Sequence, residues 1–228
     1  PLENVRSQEK YNCKFELYTS GGLSVLLERQ VNFLAARRLR QLPTFTGDFS
    51  QWSRQGIPFY INEAAQVVNI TDWGGTEDLS GVGYLLWDDE NLYLAVAATD
   101  NVHHQDNLPS ELWRGDSIQV GIDPARAEEI GRYGYDEYGF ALHNDGSQLS
   151  WRWLATFNRS LGSLEQLTRY AINRRGNQTI YEVAIPWEQI LPTDVKPTEG
   201  FSLGFSLLIN DNDGTGRRGW IEFMSGIG

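Results

Sequence analysis

Short β-rich runs recur along this chain, and turn-forming residues close each one within a few positions. That rhythm constrains the fold more than any other feature. Alternating or β-rich stretches lie at Lys14–Tyr18, Ser24–Phe33, Gly83–Trp87, Leu92–Ala97, Ser117–Ile122, Gly139–His143, Leu149–Ala155, Arg169–Asn173, Ile180–Ile185, Phe201–Ile209 and Trp220–Met224. Between them stand Ser20-Gly21-Gly22, Asp88-Asp89-Glu90-Asn91, Asn144-Asp145-Gly146, Arg175-Gly176-Asn177 and the 210–216 segment. Many strands at close spacing predict an all-β fold, an antiparallel β-sandwich with jelly-roll or immunoglobulin-like layers. The turns at Asn144-Asp145-Gly146 and Gly176-Asn177 predict hairpins, because these residues accept the positive φ that tight hairpin turns impose. Helix is confined to one or two very short pieces. Pro124–Arg132 has a proline start followed by good helix formers, and Pro186–Leu191 is stopped by Pro192.

A chain of 228 residues that is 40% hydrophobic and 12% aromatic can bury one substantial β core. Its formal charge of −11 repels phosphate backbones, so nucleic acid is not an expected partner. The same carboxylates can attract cations such as calcium. Cys13 is the single cysteine, which excludes an intrachain disulfide and a CxxC metal site. No apolar run approaches the ~20 residues needed to span a bilayer, so membrane insertion is not expected. The opening PLENVRSQEK is neither a Met start nor a signal peptide, which predicts a piece of a longer polypeptide with further domains as neighbours. Residues 1–42 read as an N-terminal β-hairpin extension or the tail of an upstream domain, or equally as extra strands of the main sandwich, and a new segment starts at Pro43.

Catalytic chemistry finds little support. The histidines are His103, His104 and His143, and no G-x-S-x-G turn presents a nucleophile. With one methionine, Met224, a Met/His haem site has little to build on, and no haem is expected. Among 30 Asp and Glu residues, no pair is singled out as a glycosidase acid and base. Asp211-Asn212-Asp213-Gly214 resembles the start of a calcium loop, with acidic oxygens at alternate positions. Asp211 and Asp213 are therefore candidate ligands for a structural calcium. An Asx-rich turn without metal reads the same residues equally well.

Tryptophan is the distinctive residue, at positions 52, 73, 87, 113, 151, 153, 187 and 220. Trp113 stands apart because Ser110-Glu111-Leu112 and Arg114-Gly115-Asp116 surround it with polar groups. A flat indole can cover the axial C–H face of a sugar while amides, carboxylates and guanidinium groups bind its hydroxyl rim. Covering one sugar face removes on the order of 100–150 Å² of apolar surface, or about 3–4 kcal/mol. Association entropy takes much of that, so useful affinity needs a second ring or several hydrogen bonds.

Five segments, in order, resemble the carbohydrate-binding module family 9 superfamily, a β-sandwich group related to DOMON domains. They are Thr44–Phe49 with Trp52, Leu86–Leu94, Leu112–Gln119 ending at Ile122-Asp123, Tyr181–Trp187, and Gly200–Asp213 with Arg217–Trp220. The resemblance covers residues 43–228. It implies a non-catalytic module of a larger secreted protein, extracellular, at the cell surface or periplasmic, of bacterial type, whose ligand is carbohydrate. It further implies a sugar clamped between two tryptophans, Trp113 being the first, with Gln119 at a hydrogen-bonding position. Arg114 and His143 are the remaining expected ligand contacts. The second tryptophan and a closing strand normally follow the strand of Trp220, so the module is expected to be truncated at its C-terminus. Phe140 and Leu142 stand where the family's polar pair is expected. The alternatives are a structural or interaction sandwich without a sugar ligand, and an accessory domain of a glycoside hydrolase.

Overall fold

A computed structural model describes residues 10–124 and 134–227 of the chain. The N-terminal strands β1 (Lys10–Tyr18) and β2 (Ser24–Asn32) pair antiparallel with each other, from Lys10↔Asn32 to Tyr18↔Ser24, and form a separate two-stranded sheet. Phe15, Leu17, Tyr18, Val25 and Leu26 of this hairpin are exposed. The chain then adds a two-residue strand, β3 (Arg37–Arg38), parallel to β6 (Leu79–Trp87). Leu34 and Ala36 beside it pack against the main core.

Two larger sheets face each other across that core. The first has the order β11 (Arg169–Arg175), β12 (Gln178–Pro186), β7 (Asn91–Asp100), β6, β3, with β4 (Pro58–Ile61) also paired to β6. The second runs β10 (Gln148–Leu154), β9 (Asp136–Leu142), β8 (Ser117–Asp123), β13 (Gly204–Asp211), β14 (Gly219–Glu222), β5 (Val67–Val68). The predicted antiparallel sandwich is the observed one, and each predicted strand has its counterpart. Sequence reading missed β3, β4 and β5. Two of them are two residues long, and β4 begins on a proline, so none shows a readable alternation.

The two-residue period of a strand explains the layering. On β7, Leu92, Leu94 and Val96 enter the main core while Tyr93 and Ala95 point outward. On β8, Ile118, Val120 and Ile122 point in, and Ser117 and Gln119 point out. Outside the first sheet, Phe45 and Trp52 from the 43–56 segment cover Tyr84, Leu86, Tyr93 and Ala184 in a second apolar cluster. Trp52 is fully buried there. Its Nε1–H donates to Glu182 Oε1 at 2.8 Å, and the Gly47 amide donates to Glu182 Oε2 at 2.7 Å.

Among the described residues helix is sparse, as expected: a four-residue α1 (Ser50–Ser53), single 3₁₀ turns at Ala64–Gln66 and Trp187–Gln189, and a 3₁₀ segment at Pro109–Arg114 kinked at Glu111. The turn at Trp187–Gln189 falls within the predicted Pro186–Leu191 helix. Most of the helix predicted at Pro124–Arg132 lies outside the described residues. Both predicted hairpins form, with Gly146 and Gly176 in the left-handed region at φ 88° and 61°. Among the described residues, no helix is long and apolar enough to cross a membrane.

Candidate functional site

The outer face of the second sheet gathers polar and aromatic side chains that packing alone does not demand. Trp113 reaches it from the 3₁₀ turn that precedes β8. Pro109 opens that turn, and Leu112, fully buried, fastens it to the core. Ser117 Oγ donates to Leu112 O at 2.9 Å, while the buried Gln105 donates to the carbonyls of Leu112 and Asp116 at 3.0 and 3.2 Å. With the turn held, the Trp113 ring is left half-buried at the rim, and its indole N–H makes no hydrogen bond among the described residues.

Two guanidinium groups lie against this ring. Arg114 stands 4.9 Å from its centroid and Arg217 stands 5.5 Å away. Arg217 is also 4.3 Å from the Trp220 centroid, so it bridges the two indoles. Beneath it lies a hydrogen-bonded floor. Asn210 Nδ2 donates to Ser117 Oγ and Gln119 Oε1, each at 2.9 Å, and Asn210 Oδ1 accepts from Arg217 Nε at 2.9 Å. Gln119 Nε2 donates to Glu137 Oε1 at 2.6 Å. Burial pushes the Glu137 carboxyl up, opposed by the Gln119 hydrogen bond and by Arg217. Burial likewise lowers the Arg217 guanidinium, and Nη2 of that residue is buried without a hydrogen bond.

Trp153 closes the other side of the floor. Its ring lies across Gly139, the strand partner of Gln119, and donates its N–H to Ser110 O at 2.8 Å. A Cβ at position 139 would stand 2.3 Å from Trp153 Cη2, so only glycine lets the ring lie flat there.

Behind this face, at the ends of β7 and β13, carboxyl groups crowd together. Asp100, Asp211 and Asp213 offer oxygens within 4.8 Å of one another, and Asp100, His103 and Asp116 form an overlapping set. Arg218 Nη1 lies 2.6 Å from Asp213 Oδ2 and 3.0 Å from Asp211 Oδ2, and Arg174 Nη1 is 3.4 Å from Asp100 Oδ2. Asp211 Oδ2 and Asp213 Oδ1 are nonetheless buried without hydrogen bonds, the former off the N–H direction of Arg218. Burial pushes Asp211 up to about 7 against the pull of Arg218, with Asp213, Asp100 and Asp78 adding to the rise. Burial also raises Asp100, to about 6. Asp116 Oδ1 accepts the Asn212 amide at 2.8 Å, and Asn212 Nδ2 donates to Arg114 O at 2.9 Å. The acidic cluster is thus tied to the backbone that carries Trp113.

Of the residues singled out from sequence, Trp113, Arg114 and Gln119 share this face. Asp211 and Asp213 share the cluster behind it. His143 sits at the β9–β10 hairpin, where its Nδ1 is 3.0 Å from Asp145 Oδ1. Sequence reading passed over Asn210, Glu137, Arg217 and Trp220 as contacts, and Asp100 as a ligand. The β8–β13 register, Asn210↔Ser117 and Leu208↔Gln119, is what brings the first of these to Gln119. Period-two reading of β13 could have found Asn210, but nothing local announces its partner.

Comparison with known proteins follows the same lines. The family described as carbohydrate family 9 binding domain-like matches residues 60–225. An endo-1,4-beta-xylanase A of Thermotoga neapolitana is 29% identical over 134 residues, which is 59% of this chain and 11% of that protein. The endo-1,4-beta-xylanase A of Thermoanaerobacterium saccharolyticum is 25% identical over 183 residues, 80% of this chain and 12% of that protein. The chain therefore spans only about a tenth of the length of the curated relatives it matches. Among solved structures, a family 9 carbohydrate-binding module from Caldicellulosiruptor kristjanssonii in complex with cellotriose superposes with TM-score 0.56 at 16% identity. The match covers 82% of this chain and 83% of that one, and the same module with glucose gives 0.55. At that identity the likeness is one of fold.

Proposed function

The chain belongs to the carbohydrate family 9 binding domain-like family, and from that premise we propose that the outer face of its second sheet is where it holds sugar. It is a non-catalytic carbohydrate-binding module. One observation carries the placement: Trp113 is a half-buried indole at the rim of a buried amide and carboxylate floor. In this reading the ring takes the apolar face of a sugar. The guanidinium groups of Arg114 and Arg217 meet its hydroxyls, and movement of Arg217 opens the Gln119, Asn210 and Glu137 floor to them. Displacing one guanidinium from the indole costs about 0.5–1 kcal/mol at an exposed site. Stacking a sugar face supplies about 3–4 kcal/mol before association entropy, so the exchange is favourable. His143, whose Nδ1 is 3.0 Å from Asp145 Oδ1 at the β9–β10 turn, is a further contact in this reading.

Titration calorimetry with glucose and cellotriose, the ligands of the structural neighbours, tests the proposal. Saturable binding by the wild type and its loss in Trp113→Ala support it. A folded chain that binds neither sugar favours the competing reading, a structural or interaction sandwich without a sugar ligand. That alternative draws on the two guanidinium groups already resting on the ring.

Asp100, Asp211 and Asp213 suit a hard divalent cation, since they present only oxygen donors and two of those oxygens are buried without a hydrogen bond. A calcium ion there would neutralise the excess of carboxylates and fix the loop bearing Arg217 and Arg218. Its role is structural. The β1–β2 hairpin serves as an extension, whereas Leu34, Ala36 and β3 are built into the sandwich of the module. The xylanase relatives support a larger secreted polypeptide, extracellular and bacterial, in which this module brings an attached glycoside hydrolase to its polysaccharide.

A further inference from the structure

Arg217 is poorly matched by its own protein. Only its Nε is engaged, on Asn210 Oδ1, while Nη2 is buried without a hydrogen bond. It makes no ion pair among the described residues. Of the neighbouring acids, Glu222 accepts the Trp220 indole N–H at 2.8 Å, and Glu137 accepts from Gln119 and acts on Arg217 only through space. Arg114, half-exposed, flanks the same Trp113 ring and has Glu111 Oε1 3.4 Å from its Nε. A planar guanidinium with idle donors is complementary to a planar, two-oxygen acceptor. Two of them beside one sugar-stacking indole narrow the ligand chemistry.

Building on the carbohydrate reading above, we propose that this face takes sugars that carry a carboxylate, with the ring on Trp113 and the acid on Arg217 and Arg114. A uronic acid holds its carboxylate at the ring edge, the side on which groups flanking an indole can meet it. Hydroxyls of the same ring remain for the Asn210–Gln119–Glu137 floor. The net charge of −11 works against non-specific attraction of an acidic sugar, so selective binding would have to come from this local pair.

Calorimetric titration of the chain with methyl β-D-glucuronoside and methyl β-D-glucoside isolates the effect, because the two probes differ only at C6. The glucuronoside is expected to bind about tenfold more tightly, the scale of one good charge-assisted hydrogen bond. High salt reduces the ratio. Arg217→Gln and Arg114→Gln each bring it toward one. The half-exposed Arg114 keeps the test open should the Arg217 variant fold poorly. Equal affinity for the two glycosides, or a ratio unmoved in both variants, overturns the inference and leaves the sugar site standing. Tighter binding of both probes by Arg217→Gln also overturns it, since the guanidinium would then be a plug in the sugar's place. Binding of neither probe overturns the inference together with the carbohydrate site.

Discussion

The two outer faces of the sandwich use the same residue types for opposite ends. Outside the first sheet, Trp52 is completely buried and its N–H is matched to Glu182. Outside the second, Trp113 is half-buried, its N–H makes no hydrogen bond among the described residues, and guanidinium groups lie on its ring. Each face also carries an outward acid on a central strand, Glu182 on β12 and Glu137 on β9. The first acid is saturated by donors that arrive with the 43–56 segment. The second is held by a neighbouring strand through Gln119, in a network that ends on an incompletely matched arginine. A covered face stabilises the fold. A face left with a partly exposed ring and unmatched donors is available to a ligand.

That contrast can be broken most forcefully at Trp52. Trp52→Ala is expected to destabilise the protein by about 3–5 kcal/mol, the range for emptying a buried aromatic site, as read by urea unfolding. Glu182→Ala should cost less, about 1–3 kcal/mol, by stranding the Trp52 and Gly47 donors. Trp113→Ala should be milder. Its unfolding free energy is expected to fall by about 1–2 kcal/mol, less than at Trp52, because part of the Trp113 ring is already exposed in the folded state. A large loss of stability at Trp113 would make the two faces alike.

Metal dependence sharpens the comparison from behind. If calcium fills the Asp100–Asp211–Asp213 site, saturating calcium should raise the thermal midpoint by several degrees over a chelated sample. Ligand at a hundred times its dissociation constant adds about 2.7 kcal/mol, and about 2–4 °C follows per kcal/mol in a domain of this size. Asp213→Asn should reduce the shift. A midpoint indifferent to calcium and chelator would remove the ion.

The smallest effect belongs to Glu137. Burial raises its folded pKa above the unfolded value of about 4.3. The folded state therefore binds more protons in that window, and stability falls as pH climbs through it. Glu137→Gln should flatten this slope between pH 4 and pH 7, as checked by urea unfolding at both.

Much of this organisation was legible in the sequence. Period-two alternation on β7, β8 and β12 marked the sandwich, and Asn144-Asp145-Gly146 marked a hairpin. Polar neighbours set Trp113 apart from the core tryptophans. The strands β3 and β5 were not legible, because two residues display no period and their pairing is decided by Trp87 and Trp220, distant in sequence. The floor of the site was only half legible. Gln119 follows a readable motif, whereas Asn210 and Arg217 reach it through the β8–β13 register and the loop beyond. Asp100 escaped notice for the same reason, since it lies 111 positions from Asp211, with which it shares the cluster.

The most direct test of a ligand-binding second face is to watch the tryptophans themselves. In a ¹H–¹⁵N spectrum each indole N–H gives its own signal, and cellotriose can be titrated in while all are followed. The Trp113 and Trp220 signals are expected to shift along saturable curves, while those of Trp52 and Trp187, bonded to Glu182 and to Asp88 O, stay fixed. Movement at Trp52 with Trp113 unmoved, or no movement at any indole up to high sugar concentration, would contradict it.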